Sequence, residues 1–273
     1  MIEHIRTNNV QRFTGFGELY DESRPTAPAE VIKILSSYLG RQPQTVVDVG
    51  CGTGLSSFLW LNDAASIIGV EPSDDMRAVA LAKWEAMQRP ANLQFVKALS
   101  HELELPAAST DIVTCSQSFH WMEPQSTLRE FARVLRPGGV FAAYDCDWPP
   151  VVDSDIEQQY MKLTTLGHQL AVELEVEQEQ AYKWNKEEHL SQIQASGLFR
   201  YAREIVFHNW EPCTADRYVK LALSQGSLQT ALKLGAKELE AEAASFREIV
   251  EKAFAGEEKS ILFGYRMRLG ITK

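Results

Sequence analysis

Val46 to Ser57, VVDVGCGTGLSS, sets a short apolar run holding one acid directly before three glycines that alternate with other residues. The run Thr45 to Val49 is β-branched and almost unbroken, the pattern of a strand buried on both faces of a parallel sheet. Gly50, Gly52 and Gly54 remove three Cβ atoms from one turn, so the backbone can take positive φ and a ligand can lie directly against it. The residues that follow predict a helix whose N-terminus offers free N–H groups to a negative part of that ligand.

Flanking residues separate the adenosine ligands that use such a turn. The dinucleotide fingerprint G-x-G-x-x-G needs its third glycine at position 55, where Leu55 stands. Asp48, just before the glycines, would repel a pyrophosphate and attract an ammonium or sulfonium, so it is a candidate cofactor contact. Both features favour S-adenosylmethionine over NAD. Glu71 ends a second strand-like run, Ser66 to Val70, at the place where a Rossmann-type sheet sets an acid to accept both ribose hydroxyls.

VVDVGCGTG followed by GVEPSDDM resembles motifs I and II of the class I S-adenosylmethionine-dependent methyltransferases. The resemblance implies an α/β fold, a doubly wound Rossmann-like sheet of seven strands with the last strand antiparallel, plus helical cap insertions. It sets Gly50, Cys51, Gly52 and Gly54 against the cofactor, with Glu71, Pro72 and Met76 beside them. LRPGGVF, Leu135 to Phe141, is a further hallmark of that family. In its small-molecule branch, which includes trans-aconitate methyltransferase, a segment like Tyr20 to Pro25 folds over the cofactor, making Tyr20 and Arg24 candidate contacts.

Composition narrows the partners. A formal net charge of −10 with no basic run disfavours a nucleic-acid substrate. Cys51, Cys115, Cys146 and Cys213 are scattered, without the spacing of zinc or redox motifs, so no metal is expected and buried thiols in a reducing compartment are. No signal-peptide core and no span approaching 18 apolar residues is present, so a cytoplasmic location with no membrane contact is the expectation.

Met1 to Arg24 is hard to read as regular structure. Pro28 to Leu39 predicts an amphipathic helix stopped by Gly40. Asp74 to Met87 predicts another, with N-cap chemistry at Ser73. Leu93 to Val96 reads as the third strand, leading to Ala98 and Leu99, where the family packs adenine. This chain lacks the family's glycine there, so only the backbone near Ala98 and Leu99 is assigned to the cofactor.

Thr110 to Gln117 is the fourth strand, Gln125 to Leu135 a helix, Arg136 to Gly139 a turn and Val140 to Tyr144 the fifth strand. Arg129, Arg133 and Arg136 read as one solvated helix face. Ile156 to Leu174 is a long amphipathic helix whose acidic end, Glu173, Glu175, Glu177 and Glu179, reads as solvated. A short helix at His189 to Ser196, a strand at Arg203 to Trp210, helices at Thr214 to Leu234 and Glu238 to Phe254, and a strand over Ile261 to Leu269 complete the chain. The expected organisation is one methyltransferase domain over 1–273: a cofactor-covering segment at 1–40, a core at 41–147, and caps at 148–188 and 211–258.

Methyl transfer is an in-line displacement at carbon, so the protein must chiefly align the reactants and exclude water. A general base is needed only for a hydroxyl, carbon acid or protonated amine acceptor. In open α/β sheets the ligand crevice lies beyond the strand C-termini, which brings Ser116, Gln117, His120 and Trp121 to the chemistry. Ser116 and Gln117 are candidate cofactor contacts. Gln117, His120, Trp121, Asp147 and Trp148 are candidate substrate contacts, and His120 is also the candidate base.

The same stretch lacks the [DNS]-P-P-[YFW] tetrad, and no proline precedes Cys115, which argues against exocyclic-amine and cytosine C5 methylation of nucleic acids. The sequence therefore predicts methyl transfer to a small organic acceptor, at oxygen or carbon with a carboxylate possible, by a monomer or homodimer. An NAD-dependent oxidoreductase would show a Y-x-x-x-K pair or the third glycine. A non-catalytic S-adenosylmethionine-binding protein has no sequence signature against it.

Overall fold

The structure, a computed structural model, describes residues 2–12, 15, 17–174 and 181–273. Its centre is a seven-stranded sheet in the order β3-β2-β1-β4-β5-β7-β6. The strands are β1 (Thr45–Val49), β2 (Ser66–Val70), β3 (Leu93–Val96), β4 (Thr110–Ser116), β5 (Leu135–Cys146), β6 (Phe199–Cys213) and β7 (Lys259–Thr272). β1 to β5 pair in parallel, and β7 inserts antiparallel between β5 and β6. Strand order reverses between β1 and β4, so the crevice that open sheets use for ligands lies past Val49 and Ser116.

Two apolar layers sandwich the sheet. One joins Val47, Val49 and Val113 to Phe119, Phe131 and Phe141; the other joins Val46, Ile67 and Ile112 to Val31, Leu35 and Trp60. Helices α3 (Glu30–Leu39), α4 (Asp74–Ala86), α5 (Pro124–Val134) and α7 (His189–Ala195) flank it. A separate apolar cluster, including Ile156, Tyr160, Leu228 and Phe246, binds α6 (Ser154–Leu174), α8 (Ala215–Leu223), α9 (Gly226–Lys233) and α10 (Lys237–Phe254) into a cap. The cap is continuous with the sheet through Phe263 and Tyr265 of β7.

Beneath the sheet, Asp111 at the start of β4 is fully buried and gathers donors from four residues. Its carboxylate accepts from Arg41, Arg136 and the backbone N–H groups of Gln44 and Thr45. Burial alone would raise its pKa, but these donors outweigh it and hold the carboxyl down at about 2.

Several sequence expectations are corrected. The described residues of 1–24 form two helices, α1 (Ile2–Gln11) and α2 (Gly17–Ser23), whose polar sequence carries no clear period because their burial comes from the rest of the fold. No α-helix follows the glycine turn: the chain forms a 3-10 turn, Phe58–Trp60, because the Ser56 and Ser57 hydroxyls are both drawn back onto Asp48. β5 begins at Leu135, with a register shift between Thr110 and Ile112 absorbing the Arg-Pro-Gly-Gly stretch. Arg136 therefore leaves the helix face and pairs with Asp111 at 2.6 Å.

The expected helix Thr214 to Leu234 is split into α8 and α9 by Ser224 and Gln225. At the break, a Cβ on Gly226 would lie 2.9 Å from the Arg12 guanidinium, so a larger residue there would push that flexible side chain aside. β6 and β7 are longer than expected because they pair with each other over most of their length. Glu175, Glu177 and Glu179 lie outside the described residues.

Candidate active site

The glycine turn takes the conformation its composition predicts, with φ of 67° at Gly50, 56° at Gly52 and 84° at Gly54. Gly50 and Cys51 donate their N–H groups to Val70 O, and Gly52 donates to Glu71 Oε2 at 2.8 Å. Ser73 N–H donates to the other oxygen, Oε1, at 2.8 Å. One carboxylate thus ties the turn after β1 to the turn after β2. Burial is the dominant influence on Glu71 and pushes its pKa up to about 7, against the pull of those two amides.

Asp48 stands apart from the cleft. It is fully buried, accepting from the Ser56, Ser57 and Thr114 hydroxyls at 2.6, 2.6 and 3.0 Å, and burial raises its pKa. Its role here is to hold the glycine turn from beneath. Gly54 is likewise outside the cleft: a Cβ there would lie 2.8 Å from Phe58 and 2.9 Å from Phe95.

The cleft is floored by Gly50, Cys51 and Gly52 and walled by Glu71, Pro72 and Met76 on one side, with Ala98 and Leu99 at one end. Ser116, Gln117 and Trp121 close the side next to β4, and Tyr20 and Arg24 of the N-terminal segment lie across it. The structure also brings in Arg6, Asn9 and Val10 of α1, which sequence reasoning missed. Thr53 Oγ1, buried against the cleft, has no hydrogen-bond partner among the described residues.

Gln117 is the pivot at the end of β4. It holds φ of 53°, a left-handed conformation that non-glycine residues adopt at some cost, and its N–H donates to Tyr144 O at 2.8 Å. The reversal lets Ser118 donate to Val49 O at 2.7 Å and turns the Phe119–Trp121 3-10 turn over the crevice.

A second chamber lies beside the first and shares part of its wall. Tyr20, Arg24, Gln117 and Trp121 line both, and His120, Trp148, Lys183 and Lys186 are among the residues lining only the second. Arg24 lies over the rings of Tyr20 and Trp148, at 4.9 and 4.8 Å, and donates to Ser224 O. Asp147 is not in either chamber; it faces outward and pairs with Arg266 at 3.1 Å.

His120 is buried, its Nδ1 3.3 Å from Asp145 Oδ1. Lys186 Nζ lies 2.6 Å from the same oxygen, and Arg268 Nη1 4.0 Å from Oδ2. Burial, then the Lys186 charge, push the imidazole down to about 3 despite Asp145. Burial would raise Asp145, yet Lys186 and His120 hold it well below the usual carboxylate range.

Donor atoms of His120, Asp145 and His189 lie within 4.8 Å of one another, a spacing that could hold a metal ion. Lys186 and Arg268 already set two positive charges beside that carboxylate, which opposes a divalent cation there.

This arrangement has counterparts. Residues 47–143 match the family described as the methyltransferase domain. The uncharacterised methyltransferase Rv3342 of Mycobacterium tuberculosis is 34% identical over 122 residues, 44% of this chain and 46% of the relative. The ubiquinone/menaquinone biosynthesis C-methyltransferase UbiE of Campylobacter jejuni is 31% identical over 121 residues, 41% and 48% of the two chains. The chain spans about half the length of the curated relatives it matches.

Among solved structures, a protein of Anaeromyxobacter dehalogenans provisionally described as a type II methyltransferase aligns with a TM-score of 0.65 at 20% identity, covering 91% of this chain and 97% of that one. The [4+2]-cyclase SpnF aligns with a TM-score of 0.51 at 19% identity, covering 89% and 81%. These likenesses show the fold. The match to the methyltransferase domain lies in residues 47–143, the stretch that holds most of β1, all of β2 to β4, the glycine turn and most of β5.

Proposed function

We propose that the chain transfers a methyl group from S-adenosylmethionine to a small organic acceptor, at oxygen or carbon, working as a cytoplasmic monomer or homodimer. The observation that carries this reading is the pair of adjacent chambers that share Tyr20, Arg24, Gln117 and Trp121 as a common wall. A cofactor bound along the glycine turn would supply an electrophilic sulfonium methyl. Glu71, with a lone pair left on each oxygen after its two amide contacts, is the acceptor for the ribose hydroxyls. Ala98 and Leu99 offer an apolar seat to a flat base, and the unpartnered Thr53 hydroxyl offers a donor.

The described residues of the N-terminal segment and of the caps at 148–188 and 211–258 would cover the junction and keep water from it. Gln117 and Trp121 fix the direction from which an acceptor meets the methyl group. His120 is neutral at physiological pH and held by its neighbours, which suits a substrate hydrogen bond better than proton abstraction.

No membrane-crossing helix is present among the described residues, and the chambers suit a small molecule better than a polymer. Calorimetry with S-adenosylmethionine, S-adenosylhomocysteine and NAD tests the cofactor reading, and tight NAD binding with no response to the other two would sink it. Conversion of S-adenosylmethionine to S-adenosylhomocysteine in the presence of an acceptor separates a transferase from a protein that only holds the cofactor.

A further inference from the structure

The second chamber has a charge pattern opposite to that of the whole chain. The protein carries a formal net charge of −10, yet Arg12, Arg24, Lys183 and Lys186 line this chamber, and no aspartate or glutamate is among its described lining residues. Asp145 sits behind the wall and is taken up chiefly by Lys186. Lys183 has the Trp121 ring at 6.0 Å, and Arg12 lies over the same ring at 5.2 Å. Arg24 is held by two aromatic rings and has a buried Nε with no hydrogen-bond partner among the described residues. Burial and then the Lys186 charge push the Lys183 ammonium down to about 8, with Arg12 and Arg24 adding to the strain. Lys183 and Arg24 add like charges beside the Lys186–Asp145 pair in a partly buried space, an arrangement that a further anion relieves.

We propose that the second chamber is an oxyanion site that holds a carboxylate or phosphate group of the acceptor as a handle, while a different atom of the acceptor takes the methyl group. The assignment rests on the first cleft being the cofactor site. The separation of handle from nucleophile follows from charge. An oxyanion attacking a sulfonium loses its negative charge as the new bond forms, so cations bound to that oxygen favour the ground state over the transition state and raise the barrier. The same cations holding a remote oxyanion bind both states equally and serve only to position the acceptor. The walls formed by Tyr20, Trp121 and Trp148 suit a flat or apolar body between the two ends.

The test uses the full chain with saturating S-adenosylhomocysteine and three one-ring probes, benzoate, phenyl phosphate and benzyl alcohol, titrated by calorimetry. An anionic probe is expected to bind at least about tenfold more tightly than the alcohol, and the tighter anion tells carboxylate from phosphate. Lys183→Gln should weaken the preferred anion by about tenfold and leave S-adenosylhomocysteine affinity unchanged, with Lys183→Arg restoring the anion. Equal binding of the alcohol, or an unchanged anion affinity in Lys183→Gln, would overturn the oxyanion site while leaving the cofactor reading standing. Failure to bind S-adenosylhomocysteine at all would overturn the cofactor reading instead. With labelled S-adenosylmethionine the anionic probes, which lack a second nucleophile, should stay unlabelled; recovery of a methyl ester would refute the handle.

Discussion

Glu71 should make cofactor affinity depend on pH in a direction opposite to the stability of the free protein. Its pKa is about 7 in the ligand-free fold, with burial as the main cause, whereas accepting two ribose hydroxyls requires the carboxylate. Binding must therefore remove a proton whenever the pH is below that value. Linkage then gives an apparent dissociation constant that rises about tenfold from pH 8 to pH 6, and about a hundredfold by pH 5.

The sign for stability is the reverse. A carboxyl raised from 4.5 to about 7 contributes stability that is fully present below 4.5 and is lost as pH rises through 7, on the order of 3 kcal/mol. Calorimetric titration of S-adenosylhomocysteine between pH 5 and 8, in buffers of different ionisation enthalpy, measures both the slope and the proton released. Glu71→Gln removes the titration and sets an amide N–H₂ against the Gly52 or Ser73 N–H, so its affinity should be weaker and flat with pH. A wild-type protein with no slope, or a Glu71→Gln variant with the same slope, would refute the reasoning.

Other outcomes follow from the same geometry. Glu71→Ala should weaken cofactor binding by about 2 kcal/mol, the scale of hydrogen bonds to a charged acceptor, and unchanged affinity would remove Glu71 from the ribose. Asp48→Ala leaves the Ser56, Ser57 and Thr114 hydroxyls buried without their acceptor and should cost about 2 to 4 kcal/mol in denaturant unfolding. Asp111→Asn gives up a carboxyl held at about 2, a contribution present above its ordinary value of 3.8 and lost as pH falls toward 2. Its loss of stability should accordingly be larger at pH 7 than at pH 3. Since His120 stays neutral down to about pH 3, a turnover profile should show no inflection near pH 6.5 that His120→Asn removes.

The sheet was readable because its strands are buried runs with turn residues between them: Thr45 to Val49, Ser66 to Val70 and Leu93 to Val96 match β1, β2 and β3 residue for residue. The glycine turn was readable because close approach to backbone and positive φ leave a residue-type signature, and Glu71 was singled out as an acid at a strand end. Asp48 misled, since an acid beside a ligand turn looks the same in sequence whether it faces the ligand or three buried hydroxyls. Arg6, Asn9, Lys183 and Lys186 were hidden for a different reason. They sit on polar segments with no period of their own, brought to the site by the fold around them, and nothing in their spacing says which surface they meet.

Asn9 illustrates what those polar segments do. Buried in α1, its side-chain amide donates to Trp121 O at 2.7 Å and Tyr182 O at 2.9 Å, and its oxygen accepts the Tyr182 N–H at 2.8 Å. One side chain thus clamps the helix beside the first cleft to the strip of chain carrying Lys183 and Lys186. Displacing that helix would break the contacts that also hold the lysine-bearing strip. The two chambers therefore share a structural support as well as four lining residues, and Asn9→Ala should disturb both walls at once.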